Sequence, residues 1–326
     1  MSSVQTIPVS EDDADIRLDR WFKRHFPQLG HGRLEKLLRT GQVRVDGARA
    51  KANDRLAAGQ QIRVPPLPDE PAEPAPRTPG QAEKVLVTEL KKRILFMDDW
   101  IIALDKPHGV AVQGGSGQTR HIDGVLDELM MGQKERPRLV HRLDKDTSGV
   151  LVLARTSASA AALAESFRHR NAKKFYWALT VGAPEPRNGT VDKPLLKIAA
   201  EGGERVAHDE DDGKRAVTRY ATIESAGKRA AWVGLMPLTG RTHQLRVHLA
   251  MIGTPIMGDR KYGGEGAYLP GMLGKKLHLH ARRLILPHPK HGAIDVTAPL
   301  PSHMLETWKL FGFDPSDRKD PFGEDA

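Results

Sequence analysis

The 326-residue sequence contains no cysteine. That excludes disulfides, thiolate metal ligands and a cysteine nucleophile together, and it suits the cytosol. No apolar run approaches the ~20 residues that a membrane-spanning helix needs. Met1 to Asp15 is polar and acidic rather than basic and then apolar, so it does not read as a secretory signal. The spacings of familiar cofactor chemistry are missing too. Gly114-Gly115-Ser116-Gly117 lacks the Gly-Lys-Ser/Thr end of a nucleotide-binding P-loop and reads as a mobile loop. His243 and His248 stand five apart, so on a helix they share no face, and no Glu stands beside the first. His278 and His280 would share one face of a strand, but no acidic ligand accompanies them. The sequence therefore points to no metal. Nor is there a paired acid for glycoside hydrolysis: Asp146 is close to Asp144, but nothing aims both at one ligand.

What is present begins with charge. The net charge is +9, from 50 basic and 41 acidic residues. Residues 15–64 hold 12 Lys and Arg against five Asp and Glu, so +7 of that excess sits in one short segment. A module that docks on phosphates would look like this. Ile16, Leu18, Trp21, Phe22 and Phe26 are spaced as one helical face, with Arg17, Arg20, Lys23 and Arg24 between them; Pro27 ends the helix. A second helix is expected over residues 32–40, with Leu34, Leu37 and Leu38 inward, Arg33, Lys36 and Arg39 outward, and Gly41 as its C-terminal cap. Val43 and Val45 then alternate with polar residues, Asp46-Gly47 makes a hairpin turn, and Gln61 to Val64 closes a small sheet. Arg20, Arg33, Lys36, Arg39 and Arg44 are the candidate phosphate contacts. The expected order is a flexible N-terminus (1–14), this basic α/β module (15–64), a proline-rich linker (65–83), a large second domain (84–313) and a flexible acidic tail (314–326). The linker carries seven prolines between Pro65 and Pro79 and cannot pack a core.

In the second domain strands outnumber helices and do not alternate with them regularly, which predicts an α+β fold with a mixed, mainly antiparallel sheet. Strands are expected at residues 94–97, 100–104, 174–181, 217–223, 230–236, 277–286 and 293–296, and a helix at 157–169. In the strand at 174–181, Phe175, Trp177, Leu179 and Val181 face one way and Tyr176, Ala178 and Thr180 the other.

Two blocks carry chemistry. His141 to Ala154 joins charged residues to an apolar run, Val150 to Ala154, that reads as a strand buried on both faces. Asp144 thus sits where a loop meets the core, and a carboxylate partly out of water needs a cation beside it; Arg142 is one candidate. In the second block, Leu238 to Asp259, Thr242 is expected to cap a helix lined by Leu245, Leu249 and Ile252 and ended by Gly253. Arg246 lies at the edge of that apolar side, placed to reach into a cleft. Arg241 is a weaker candidate for shaping a site or holding phosphate.

His141-Arg142-Leu143-Asp144 followed by Thr147-Ser148-Gly149 resembles the signature of the RluA family of pseudouridine synthases. Gly240-Arg241-Thr242-His243-Gln244 with Arg246-Val247-His248 resembles its second motif, and Asp105 to Gly109 and Lys174 to Gly182 resemble two more, the last one residue longer than the family pattern. The resemblance spans about residues 94 to 312 and is similar to the ribosomal large-subunit enzymes through Gly203 to Arg205 and Lys214 to Thr218. Residues 15–64 resemble an S4 RNA-binding domain. The resemblance implies an isomerase that detaches uracil from C1′ of its ribose, turns it and rejoins it through C5, needing no cofactor. It implies Asp144 as catalytic residue, Arg246 as its partner and Tyr176 stacked on the base. It also implies substrate contacts from Arg142, His141, Arg241 and Lys106, with Arg142 propping the RNA open. Asp144 would attack the sugar, attack the base or take a ribose proton. The implied partner is RNA, 23S rRNA or the pre-ribosomal large subunit, met by a monomer in the cytoplasm. Transfer RNA, or a non-catalytic ribosome-assembly role, are the alternatives.

Overall fold

The periodicity at residues 16–40 becomes two helices because each buries its apolar stripe against the other and against a sheet. The computed structural model describes residues 4–67, 80–114, 120–200, 203–270, 275–316 and 321–323, and the chain divides into two units, Met1–Thr78 and Pro79–Ala326. In the first unit, β1 (Gln5–Pro8) precedes α1 (Leu18–His25) and α2 (His31–Arg39), followed by β2 (Arg44–Val45), β3 (Ala48–Arg49) and β4 (Gln61–Val64). Leu18, Trp21 and Phe22 of α1 and Leu34, Leu37 and Leu38 of α2 form the core with Val43, Ile62 and Val64. Gly41 follows α2 at φ +69°, the left-handed conformation that favours glycine at a helix end.

The N-terminus departs from the expected flexible stretch. Gln5–Pro8 pairs antiparallel with Gln61–Val64 and makes the sheet four-stranded, in the order β1-β4-β2-β3. Asp13 is buried and accepts hydrogen bonds from Arg24 Nη1 and His25 Nε2, each at 2.7 Å. Burial alone would raise its pKa, but the His25 and Ser10 hydrogen bonds and the neighbouring charges lower it.

In the second unit, α3 (Gln81–Lys92) begins inside the segment expected to be linker, because Leu86, Val87 and Leu90 recur at helical spacing and are buried. Most of the proline-rich run lies outside the described residues. The strands are β5 (Ile94–Met97), β6 (Ile101–Lys106), β7 (Arg138–Leu139), β8 (Ser148–Ala154), β9 (Lys173–Val181), β10 (Asn188–Asp192), β11 (Leu195–Ala200), β12 (Gly203–His208), β13 (Val217–Ala226), β14 (Ala230–Pro237), β15 (Leu279–Pro287) and β16 (Ala293–Thr297). The helices are α4 (Ser157–Arg168), α5 (Gln244–Met251), α6 (Arg260–Gly263) and α7 (Ser302–Phe311).

Ten strands form one mixed, mainly antiparallel sheet ordered β10-β13-β14-β9-β15-β8-β6-β5, with β16 on β15 and β7 on β8; β11 and β12 pair separately. The β15–β8 pair is parallel and brings His280 beside Ser148 and Ala281 beside Gly149. That approach requires glycine: at φ +106°, a Cβ on Gly149 would lie 2.2 Å from the Ala281 carbonyl oxygen. β8 is buried on both faces, as its unbroken apolar run predicts. Leu151 and Leu153 point to the core with Leu86 and Leu90; Val150, Val152 and Ala154 point to the core with Leu163 of α4. The expected loose tail is partly tied down, because the Phe322 ring lies 6.3 Å from that of Phe175, with the Arg219 guanidinium 5.4 Å above it. Among the described residues no helix is long and apolar enough to cross a membrane.

Candidate active site

Between the loop that joins β7 to β8, the face of β9 and the segment entering α5 lies a cavity of about 470 Å³. Among the described residues Asp144 is the only carboxylate in its lining, and Asp146 is not part of it. Strand β8 fixes the Asp144 loop. Leu143 is buried in the core beside it, and Thr147 N–H donates to the Asp144 carbonyl at 3.1 Å. Ser148 Oγ lies 2.9 Å from His280 Nδ1 on β15.

Lys106 does not face the cavity, contrary to its expected substrate contact. It is fully buried at the end of β6, and its Nζ donates to the carbonyls of Pro107, Val110 and Lys145 at 3.0, 2.8 and 3.0 Å. Gly109 N–H donates to the same Lys145 carbonyl. The ammonium therefore pins the residue after Asp144 from behind. Burial pushes its pKa down to about 7, against the opposing charges of Asp146, Asp144 and Asp105.

His141 sits at the cavity wall as a neutral ring: Nε2 accepts from Val152 N–H at 2.8 Å, and the ring stacks on Phe167 at 4.6 Å. Burial pushes its pKa down to about 3. Arg142 does not serve as the cation for Asp144. It is exposed at the rim and donates to Thr242 Oγ1 at 3.3 Å. Tyr176 lies on β9 opposite Leu235 and Ala281 and faces the cavity, where burial first and the Asp144 charge second raise its pKa. Its hydroxyl thus stays protonated.

The segment before α5 is held by the side chain of Gln244, a member of the Gly240 to His248 block whose role the sequence leaves open. Gln244 Oε1 accepts from Thr239 Oγ1 and Arg241 N–H at 2.7 and 3.0 Å, while its Nε2 donates to the Val217 carbonyl and Thr218 Oγ1 at 2.9 and 3.0 Å. All four of its bonds stay inside the protein. Arg241 is exposed at the rim, with Nε donating to the Arg215 carbonyl at 3.1 Å. Thr242 does not cap α5; the cap position belongs to His243 at φ +53°, with no side-chain cap bond. Gln244 holds the turn instead, and this left-handed residue aims the His243 ring into the cavity.

Arg246 does not pair with Asp144. Nε and Nη2 donate to Asp259 at 2.8 and 2.7 Å, a bidentate bridge in which both side chains are buried. A guanidinium fork fits a coplanar carboxylate, and Asp259 is already positioned by accepting from Lys261 and Tyr262 N–H at the start of α6. Burial disfavours the charge on Arg246, but the Asp259 bonds and charge, with Asp144 behind them, raise its pKa overall. The basic group nearest Asp144 is His243, with Nε2 3.9 Å from Oδ2 and Nδ1 2.6 Å from Tyr262 Oη. Tyr262 Oη accepts from Val206 N–H at 3.2 Å, so its own proton is free for Nδ1 and the imidazole proton can face Asp144 on Nε2. The Tyr262 ring in turn lies 5.1 Å beneath the Arg246 guanidinium. Burial lowers the His243 pKa despite the Asp144 charge.

In the sequence His243 stands out only as a member of the Gly240 to His248 block and as a possible metal ligand, and no local pattern marks Asp259 or Tyr262. The other histidines considered for metal are used elsewhere: His248 Nδ1 meets Thr218 Oγ1, His278 Nε2 meets Thr307 Oγ1, and His280 meets Ser148.

Residues 100–251, which carry the Asp144 loop, β9 and α5, match the family model described as RNA pseudouridylate synthase. The ribosomal large subunit pseudouridine synthase C of Vibrio cholerae is 35% identical over 308 residues, covering 93% of this chain and 95% of that one. The chain belongs to the RluA family of RNA pseudouridine synthases. A mitochondrial RNA pseudouridine synthase 4 of Arabidopsis thaliana is 33% identical, covering 95% of this chain and 82% of that protein. Among solved structures, human RNA pseudouridylate synthase domain containing 4 superposes with a TM-score of 0.60 at 33% identity, over 72% of this chain and 98% of that one. A pseudouridine synthase is an isomerase, so the cavity has to handle one nucleotide and no second reactant.

Proposed function

We propose that this pseudouridine synthase modifies uridines in the ribosomal RNA of the large subunit, using Asp144 as its catalytic carboxylate. The observation that carries the chemistry is one carboxylate, among the described residues, in a cavity otherwise lined by cations, aromatic rings, neutral polar groups and aliphatic side chains. The relatives named for the large subunit support the substrate. Uridine must leave its stack to enter a cavity of this kind, and Tyr176 offers an aromatic face for the flipped base. Arg142, exposed at the rim, would help hold the displaced RNA, and Arg241 would meet its backbone. Arg246 acts through Asp259 and Tyr262, whose hydroxyl orients His243 toward Asp144. Mapping pseudouridine in cellular RNA with the wild-type chain, with Asp144→Asn and with neither tests the assignment. Sites that vanish from transfer RNA rather than large-subunit rRNA would overturn the substrate.

Tyr176→Phe is expected to bind RNA almost normally, whereas Tyr176→Ala should weaken binding by ~1–3 kcal/mol, the usual worth of one stacked base. Turnover by Tyr176→Phe then reads the hydroxyl alone. Because the hydroxyl stays protonated, the wild type should show no descending limb from its ionisation between pH 8 and about pH 9.5. A limb that disappears in Tyr176→Phe would contradict this.

The first unit we propose as the S4-like RNA-binding module. Arg20, Arg33, Lys36, Arg39 and Arg44 are all exposed on it, and Arg44 alone of these bonds locally, to the Gly41 and Gly47 carbonyls. Deleting residues 1–78 should weaken RNA binding and flatten its salt dependence, by close to one unit of log–log slope for each phosphate no longer held. The second unit has its own cores, so conversion of a short RNA at high concentration should persist. An unchanged slope across a salt series would mean the basic module does not touch RNA.

A further inference from the structure

One group of charges on the cavity wall has no use in the scheme above. Arg168 ends α4, Arg170 follows at φ +62°, and Lys174 lies on β9 two residues before Tyr176; all three line the cavity. Arg168 and Arg170 are exposed and Lys174 is half-buried. None of their side chains has an ion-pair or hydrogen-bonding partner among the described residues, and Glu165, one turn earlier, faces His169 at 4.0 Å. Asp144 shares the cavity but makes its close approach to His243. Holding Lys174 out of water beside a second cation is unfavourable, and its pKa falls through burial and the Arg170 charge. Three cations on one cavity wall, none of them paired with a carboxylate among the described residues, make an anion site.

Position narrows the anion. Lys174 and Tyr176 lie on the same side of β9, about 7 Å apart along it at ~3.3 Å per residue. That is about the reach from a nucleobase to a phosphate of its own nucleotide. We propose that Arg168, Arg170 and Lys174 form a phosphate subsite that grips a phosphodiester flanking the nucleotide seated against Tyr176. This rests on the RNA-modifying reading of the cavity and adds where the backbone is held. Phosphate contacts carry no sequence information, so the subsite would set the register of the flipped nucleotide.

The test uses the full chain carrying Asp144→Asn and a fluorescein-labelled pentanucleotide, AAUAA, whose single uridine fixes the register. Arg168→Gln with Arg170→Gln should weaken binding at low salt by about tenfold or more. The slope of log affinity against log salt should fall by about 0.7, the contribution of one phosphate on a single strand. Removing the same charge from α3, with Lys91→Gln and Lys92→Gln, should leave affinity and slope unchanged. A methylphosphonate 5′ or 3′ of the uridine should weaken the parent at one of the two linkages and leave the arginine variant unaffected there. The arginine variant should melt at or above the parent's Tm, because it breaks no ion pair. Wild-type affinity and slope in that variant, an equal loss in the α3 control, a large fall in Tm or no binding of the pentamer by the parent would each overturn the subsite. The pentamer carries no ribosomal sequence, so failure of the rRNA assignment in the mapping experiment leaves this result readable.

Discussion

Asp144→Asn is expected to lower uridine conversion by ~10⁴-fold or more, the scale on which enzymes lose a reacting side chain, while RNA affinity stays near the wild-type value. The expectation follows from the cavity. Among the described residues its lining holds no second carboxylate, and Asp259, behind Arg246, is bound by both arms of that guanidinium. An Asn in place of Asp144 keeps the shape and the Thr147 turn but removes the charge. Tritium release from C5-labelled RNA measures turnover, and binding is read separately by anisotropy. Substantial steady turnover by the Asn variant would remove Asp144 from the chemistry.

The second large effect is on the scaffold. Asp259→Ala leaves the Arg246 guanidinium buried without its partner, which costs about 3–5 kcal/mol. For a unit of this size, where 1 kcal/mol moves Tm by roughly 2–4 °C, the melting temperature should fall by roughly 6–20 °C. Turnover should fall as well, because Asp259 also holds the Tyr262 backbone, and Tyr262 orients His243. Combining Arg246→Met with Asp259→Leu should recover much of the stability, since neither charge is then stranded, but not the activity. An Asp259→Ala protein with the wild-type Tm would mean that the bidentate pair does not exist in solution. Recovery of turnover in the double variant would mean that Arg246 fills space only.

Local pattern carried most of what was legible in the sequence. The apolar stripes of α1, α2 and α4 and the run of β8 are set by residues within a turn or a pleat of each other, so they can be read from spacing. The loop that carries Asp144 into the cavity was legible because its residues form a long fixed string. What escaped reading depends on partners far apart in the chain. β1 finds β4 more than fifty residues later. Gln244 reaches Val217 across 27 residues, and Lys106 reaches Lys145 across 39. Arg246 was expected to serve Asp144, yet the carboxylate that fits its fork is 13 residues onward. Arg168 and Arg170 resemble a solvated helix end, and only the folded chain brings them to the wall that holds Tyr176.

The parallel contact between Ser148 and His280 ties the cavity to the order of biosynthesis. Tyr176 pairs with Ala281, and Leu279 lines the cavity, so the wall facing Asp144 is incomplete until residues near 281 have left the ribosome. The basic first unit, ending at residue 78, is complete roughly ten to forty seconds earlier at ~5–20 residues per second. During that interval the nascent chain would have the basic module proposed to bind phosphates but no finished site for chemistry. Truncated chains that stop before β15 would be inert, and, if the first unit binds RNA as proposed, the protein would find RNA before it could alter it.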